Sequence, residues 1–239
     1  MTSDRPTPTA VRGQLTTRAR LLHAAEELFA ELGIAQTSTR AIVRAAGQRN
    51  ESALQYHFGG RDGLIEAMYV ERGAQLADAR APLLAELEDD ADVRRICEVA
   101  FLAPVLAARR DPGFVLFLHV TGQLAFEPRS RLQQVAERYV GDSVLEIRRR
   151  ILPLVDLHPK ILQRRAEMMH RLSAVALSQR AMSGESFDGP EGDLFVQTQV
   201  DAMAAILMSP VSPSTEKSLE VVLAKDEATA DEKSSASAT

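Results

Sequence analysis

The sequence predicts an all-α fold, on three observations. Apolar residues recur at i, i+3 and i+4 spacings along most of 16–208, the period of helices with one buried face. Prolines and glycines punctuate those stretches, at Gly33, Gly47, Pro82, Pro112-Gly113 and Pro159. The run 37–58, TSTRAIVRAAGQRNESALQYHF, reads as a short helix, a tight turn and a second short helix closed by Tyr56, His57 and Phe58.

Residues 1–15 carry Pro6, Pro8 and Gly13 among Thr and Arg and show no period, so a disordered arm is expected. Over 16–32, Leu21, Ala25, Leu28, Phe29 and Leu32 form one apolar stripe, with Thr16 or Thr17 as N-cap and Gly33 past the end. The hydroxyls of Thr37, Ser38 and Thr39 suit the cap of a second helix, whose Ala41, Ile42, Ala45 and Ala46 face inward. Gly47 permits the turn, and Asn50 or Ser52 caps the third helix. A long helix is expected from Arg61 with Leu64, Ile65, Met68, Gly73 and Leu76, kinked or ended by Pro82.

The remainder reads as further helices. Val93, Ile96, Cys97, Ala100, Phe101 and Leu102 share a stripe with Pro104 near its end, and Asp111-Pro112-Gly113 turns into the apolar run 114–118. Pro128 opens a helix carrying Leu132, Val135, Tyr139, Val144, Leu145 and Ile147, which Pro153 and 156–159 close. Long helices are expected over 160–182 and 193–208, separated by a loop at 183–192. The Pro-, Ser- and acid-rich tail 209–239 is expected to be disordered, apart from a short turn at 219–223.

Composition narrows the function. With 45% hydrophobic residues in 239, the chain can bury a sizeable core, but it has no apolar run of the ~18 residues a membrane span needs. Residues 1–13 lack the apolar stretch of a signal peptide, and Cys97 is alone, so a reduced, cytoplasmic protein without membrane attachment is expected. The net charge of −5 is unevenly placed. Residues 1–63 hold eight Arg against six acidic residues, whereas the rest holds twenty basic against twenty-seven acidic. That asymmetry would confine contact with a polyanion to one end.

The third helix of the head gathers polar tips: Gln55, Tyr56 and His57 beside Ser52 and Ala53, with Arg49 and Asn50 in the turn before it. A short structural helix does not need so many hydrogen-bonding groups, whereas Arg suits guanine edges and Asn or Gln suits adenine. At this point 19–68 resembles the DNA-binding domain of TetR-type (TetR/AcrR) transcriptional regulators, through AAEELFAELG, TSTRAIVRAAG and the YHFGGRDGL exit into a fourth helix. Two features depart from that family's pattern. Gln55 stands where a Tyr three before the closing Phe is usual, and the interval from Gly47 to Phe58 is one residue longer.

The resemblance implies a parse into the arm 1–15, a three-helix helix-turn-helix DNA-binding domain at 16–62, a larger helical ligand-binding and dimerisation domain at 63–208, and the tail 209–239. It implies phosphate contacts at Thr37, Thr39, Arg40 and Arg61, the last filling the position of the family's frequent Lys. Base-edge candidates are Arg49, Asn50, Ser52, Ala53, Gln55, Tyr56 and His57. It also implies dimerisation through the last two long helices. The stripes of those helices, through Met168, Leu172 and Val175 and through Val196, Val200, Met203 and Leu207, are wider than the ~100° one core requires. A small-molecule effector is implied in the body, where Phe101, Phe114, Phe117, Phe126, Met168 and Met169 supply apolar surface and His119, Gln123 and His170 supply polar groups.

Enzymatic chemistry has no support in the spacing. There is no G-x-S-x-G, H-E-x-x-H, phosphate-binding or dinucleotide-binding motif, and the five His follow no metal-ligand rhythm, so neither catalytic residues nor cofactor nor metal are expected. The expected function is a homodimeric DNA-binding regulator, a repressor released from a near-palindromic operator by an effector. The alternative is a DNA-binding dimer without small-molecule effector, regulated by a protein partner or by abundance.

Overall fold

A computed structural model describes residues 16–124 and 141–237. Its helices, in order, are α1 (Thr17–Leu32), α2 (Thr39–Ala45), α3 (Ser52–Phe58), α4 (Arg61–Ala85), α5 (Val93–Arg110), α6 (Pro112–Leu124), α7 (Asp142–Ile151), α8 (Pro159–Ser183), α9 (Gly189–Met208) and α10 (Pro213–Ser237), with a 3-10 turn at Leu152–Leu154. No strand occurs among the described residues. The expected arm, Phe126 and most of the helix expected from Pro128 lie outside them.

The head is a three-helix core closed by α4. Leu21, Ala25 and Phe29 of α1 are fully buried against Ile42 of α2, Leu54 of α3 and Leu64 of α4. Local chemistry sets the boundaries. Thr16 Oγ1 accepts from Ala19 N–H at 3.2 Å, and Ser38 Oγ accepts from Ala41 N–H at 3.2 Å. Helix α2 ends in a Schellman turn, with Gln48 N–H on Val43 O and Gly47 N–H on Arg44 O, and Gly47 takes the left-handed φ of 70° that this turn demands.

Helix α4 runs 25 residues from the head into the body. Pro82 does not end it: the helix closes three residues later, with Glu86 N–H on Pro82 O and Leu84 O. Pro104 likewise lies inside α5, which continues to Arg110 because Val105, Ala107 and Ala108 bury its last turns. In both cases packing outweighs the one backbone bond a proline removes. Helix α5 packs against α4 and α9, while α6 lies between α1 of the head and α8 of the body. Cys97 is a buried core residue whose thiol burial pushes up to about 12.

The tail departs from expectation. Instead of disorder with a short turn, 213–237 forms helix α10, with Pro213 in its first turn and Thr215 N–H bonded to Ser212 Oγ at 3.3 Å. Leu, Ala, Glu and Lys are strong helix formers, and a solvated helix and a disordered acidic tail share that composition. Lys160 of α8 pairs with Asp226 of α10 at 2.6 Å. Among the described residues no single helix is long and apolar enough to cross a membrane.

Candidate nucleic-acid interface

Helix α3 is carried on a rigid base and presents its outer face to solvent. Leu54 is buried and Phe58 packs on the same core, so Ser52, Gln55 and Tyr56 point away from it. Tyr56 is 86% exposed, a large aromatic with no cover of its own. His57 is half-buried and meets Tyr56 edge to face at 5.0 Å, which limits where the phenol can swing. Arg49 and Asn50 are exposed in the turn, but Asn50 Oδ1 already accepts from Ser52 N–H at 3.0 Å and starts α3. Its amide N–H groups and the second lone pair of Oδ1 are left for other partners.

Three expected contacts are withdrawn by this geometry. Thr37 is buried, and its hydroxyl donates to Leu28 O at 3.1 Å and Gly33 O at 2.8 Å, so it locks the α1–α2 link instead of facing a phosphate. The Arg61 guanidinium turns inward, donating to the carbonyls of Thr37 and Ile34 and lying 5.4 Å from the centroid of the Phe29 ring. A planar fork with five donors satisfies both of these part-buried carbonyls at once. Ala53 is half-buried and packs on the head core. Thr39 is half-buried at the start of α2, and Arg40 is exposed beside it.

Arg44 is exposed on α2, four residues after Arg40 and therefore on the same face. That spacing was legible in TRAIVRA, yet only Arg40 stands in the expected set.

Of the described residues expected around an effector, Phe101, Phe114 and Phe117 are buried in one core with Met169 packed on it. Phe101 is buried between α5 and α9, with its ring 5.8 Å from that of Phe195. Phe117 meets Phe114 edge to face at 5.5 Å and Tyr69 of α4 at 5.3 Å. His119 and Gln123 hydrogen-bond to one another where α6 meets the head. Met168 and His170 are exposed on α8, and Met169 is half-buried. A groove of about 540 Å³ lies elsewhere, between the start of α8 and α10, along Lys160, Arg164, Leu219 and Val222.

The expected dimer stripe also divides. Val196, Val200, Met203 and Leu207 are all buried within the chain, where α9 packs on α5. A period of apolar residues reports burial but does not say which surface does the burying. Met168 and Leu172 are exposed, and Val175 is half-buried. With Met182 of α8 and Leu194 and Met208 of α9 they leave large apolar side chains uncovered along the last two long body helices.

A helix-turn-helix head with an exposed third helix, mounted on a larger helical body, defines the class: a DNA-binding transcription regulator. Residues 21–68 match the family of bacterial regulatory proteins described as the tetR family. An HTH-type transcriptional regulator BetI 2 of Chromohalobacter salexigens is 28% identical over 146 residues, covering 58% of this chain and 67% of that protein. A TetR family transcription regulator of Marinobacter aquaeolei VT8 shares the fold at a TM-score of 0.54 and 17% identity, over 80% of this chain and 95% of that one. The transcriptional regulator FadR of Bacillus subtilis, solved with stearoyl-CoA, does so at 0.54 and 14% identity, over 81% and 99%. Residues 21–68 thus carry the match to the tetR family, and the chain as a whole shares the fold of these regulators.

Proposed function

We propose that the chain is a homodimeric repressor that binds a near-palindromic operator and leaves it when an effector occupies the body. The observation that carries the DNA contact is the outer face of α3, where Ser52, Gln55 and Tyr56 stand exposed over the buried Leu54. Two such helices, about 34 Å apart across a two-fold axis, would enter successive major grooves on one side of the duplex. Gln55, Tyr56, Ser52, His57, Arg49 and Asn50 are the base-edge set. Thr39, Arg40 and Arg44 hold phosphates and set the register. The uncovered side chains of α8 and α9 support self-association by an isologous packing of these helices.

An effector releases the operator only by binding the released arrangement more tightly, typically by ~1–3 kcal/mol. The second reading is a dimer governed by a protein partner or by its own abundance. The burial of Phe101, Phe114 and Phe117 as packed core favours it.

Selection of bound sequences from random double-stranded DNA tests the first part. Recovery of an inverted repeat is the expected result, and recovery of no preferred sequence would end the operator reading. Candidate metabolites are then added to that complex and to the protein alone. A compound that both stabilises the fold and releases the DNA supports the effector, since ligand at 100 times its dissociation constant adds ~2.7 kcal/mol.

A further inference from the structure

Helix α6 carries a chain of hydrogen bonds from the body to the head. Near its end, Gln123 Nε2 donates to Phe29 O at 3.0 Å, and Gln123 Oε1 accepts from Ile34 N–H at 3.2 Å. One side-chain amide therefore holds the last turn of α1 and the first residue after its Gly33 cap. One turn back, His119 Nε2 lies 3.2 Å from Gln123 Nε2, and His119 Nδ1 lies 3.0 Å from Ser178 Oγ of α8. Because Gln123 Nε2 carries only donors, His119 Nε2 must accept. The neutral ring then bears its proton on Nδ1 and donates to Ser178 Oγ, whose own proton goes to His119 O at 3.3 Å.

Every member has one orientation, and each orientation depends on the next. Backbone geometry couples the chain to α8 as well. A Cβ on Gly122 would lie 2.1 Å from Ser178 Cβ and 3.2 Å from Ala174 O, so α6 and α8 touch without a side chain between them. Displacement of α8 along α6 must disturb Ser178 and then the amide that holds α1.

We propose that Gln123 is a positioning residue that sets the DNA-binding head against the body, with His119 and Ser178 fixing its amide. The proposal rests on the regulator reading above and names the route by which a change at α8, the helix with the uncovered apolar side chains, reaches α3. A second polar lock, Glu26–Arg72–Asp111, ties α1 to α4 and to the start of α6 without touching α8. The relay through Gln123 is the one that answers to α8.

The test uses the full chain and reads hydrogen exchange at the Ile34 amide, whose bond is to the Gln123 side chain. Ser178→Ala, on α8, should speed that exchange about 2- to 30-fold, the range of couplings carried by such networks. Ser173→Ala on the same helix is the control, since the buried Ser173 hydroxyl has no hydrogen-bond partner. Gln123→Met should give the same acceleration, and the Ser178→Ala, Gln123→Met double variant no more than Gln123→Met alone. In parallel, affinity for a selected duplex should change non-additively in the same three variants. Unaltered exchange at Ile34 in folded Ser178→Ala, or a change matched by Ser173→Ala, overturns the relay. Loss of all duplex preference in the wild type would overturn the regulator reading and leave the exchange result standing. Should Ser178→Ala fail to fold, His119→Phe, which leaves both Gln123 bonds to the head in place, carries the same exchange measurement, and unaltered exchange at Ile34 in that variant overturns the relay.

Discussion

Arg72 grips Glu26 through two parallel hydrogen bonds, Nε to Oε1 at 2.7 Å and Nη2 to Oε2 at 2.5 Å, inside the contact between α4 and α1. A third arm, Nη1, reaches Asp111 at 2.7 Å at the start of α6. Burial works against charge on both partners. It pushes the Glu26 carboxyl above its ordinary value despite Arg72, while the two carboxylates outweigh burial and keep Arg72 charged. The pair joins head and body at low solvent access, and what it supplies is geometry more than net stability. Arg72→Met should therefore cost about 3–5 kcal/mol in urea unfolding, because it strands Glu26 without a counter-charge. Adding Glu26→Leu to that variant should restore most of the loss. If the double variant stayed as unstable as Arg72→Met alone, the pair would be supplying net stability, and a loss equal to the sum of the two single ones would mean that the two side chains do not interact.

Asp111 makes the lock sensitive to acid. Burial opposes its ionisation, but the Gly113 N–H bond and Arg72 outweigh it and hold the carboxyl below its ordinary 3.8. A carboxylate depressed in the fold contributes stability that is full above 3.8 and is lost as pH falls through the folded value. The destabilisation caused by Asp111→Ala should accordingly be constant from neutral pH down to the ordinary carboxylate range, then shrink in more acid solution. Thermal melts of both proteins across that range measure it. A penalty that grows on acidification has the wrong sign and would detach Asp111 from the ion pair.

Arg61→Ala should damage the head and leave the salt dependence of DNA binding alone. The side chain bonds the carbonyls of Thr37 and Ile34, and hydrogen bonds to charged groups contribute ~1.5–3 kcal/mol each. A loss of roughly 2–4 kcal/mol is expected with allowance for partial solvation of the site. The slope of log affinity against log salt, measured where the variant is folded, should match wild type. A slope reduced by about one unit would return Arg61 to the phosphate contacts.

Much of this architecture is legible in the amino-acid order. The spacing of Leu21, Ala25 and Phe29 marks the buried side of α1 because a 3.6-residue period admits one inward face. What is not legible is which neighbour satisfies each group. Thr37, Ser38 and Thr39 are chemically interchangeable as caps, and only packing sends Thr37 inward and leaves Ser38 on the helix end. Arg61 reads as a phosphate contact because charge is visible in sequence and the orphan carbonyls of a distant turn are not. The stripe of α9 is correctly apolar, yet its partner is α5 of the same chain, and nothing in Val196, Val200, Met203 and Leu207 distinguishes that from a second copy.

Gln55→Ala tests the recognition helix. Gln55 is exposed on α3 one turn from Ser52, so its amide is available for both the donor and acceptor of an adenine edge. The variant should lose ~1–3 kcal/mol at one base position of the selected operator and bind substituted sequences there nearly alike. An equal loss on every sequence would mark Gln55 as a backbone contact.

The uncovered side chains of α8 and α9 lead to a prediction that separates association from folding. Leu172 is 44% and Met168 56% exposed, so a charge placed there has little to disturb within one chain. Leu172→Glu and Met168→Glu should leave the melting temperature of dilute protein nearly unchanged while shifting its mass in sedimentation equilibrium from dimer to monomer, since buried like charges across a two-fold axis repel. Met203, 4% exposed against α5, gives the opposite pattern. Met203→Ala opens a cavity and should cost about 2–5 kcal/mol with the mass unchanged. Operator affinity discriminates further. A monomer holds one half-site and loses the effective concentration that tethers the second head, so Leu172→Glu should weaken binding to a full inverted repeat far more than to a single half-site. Should Leu172→Glu and Met168→Glu both remain dimeric, the copies meet on another surface, and the apolar face of α8 awaits a different partner.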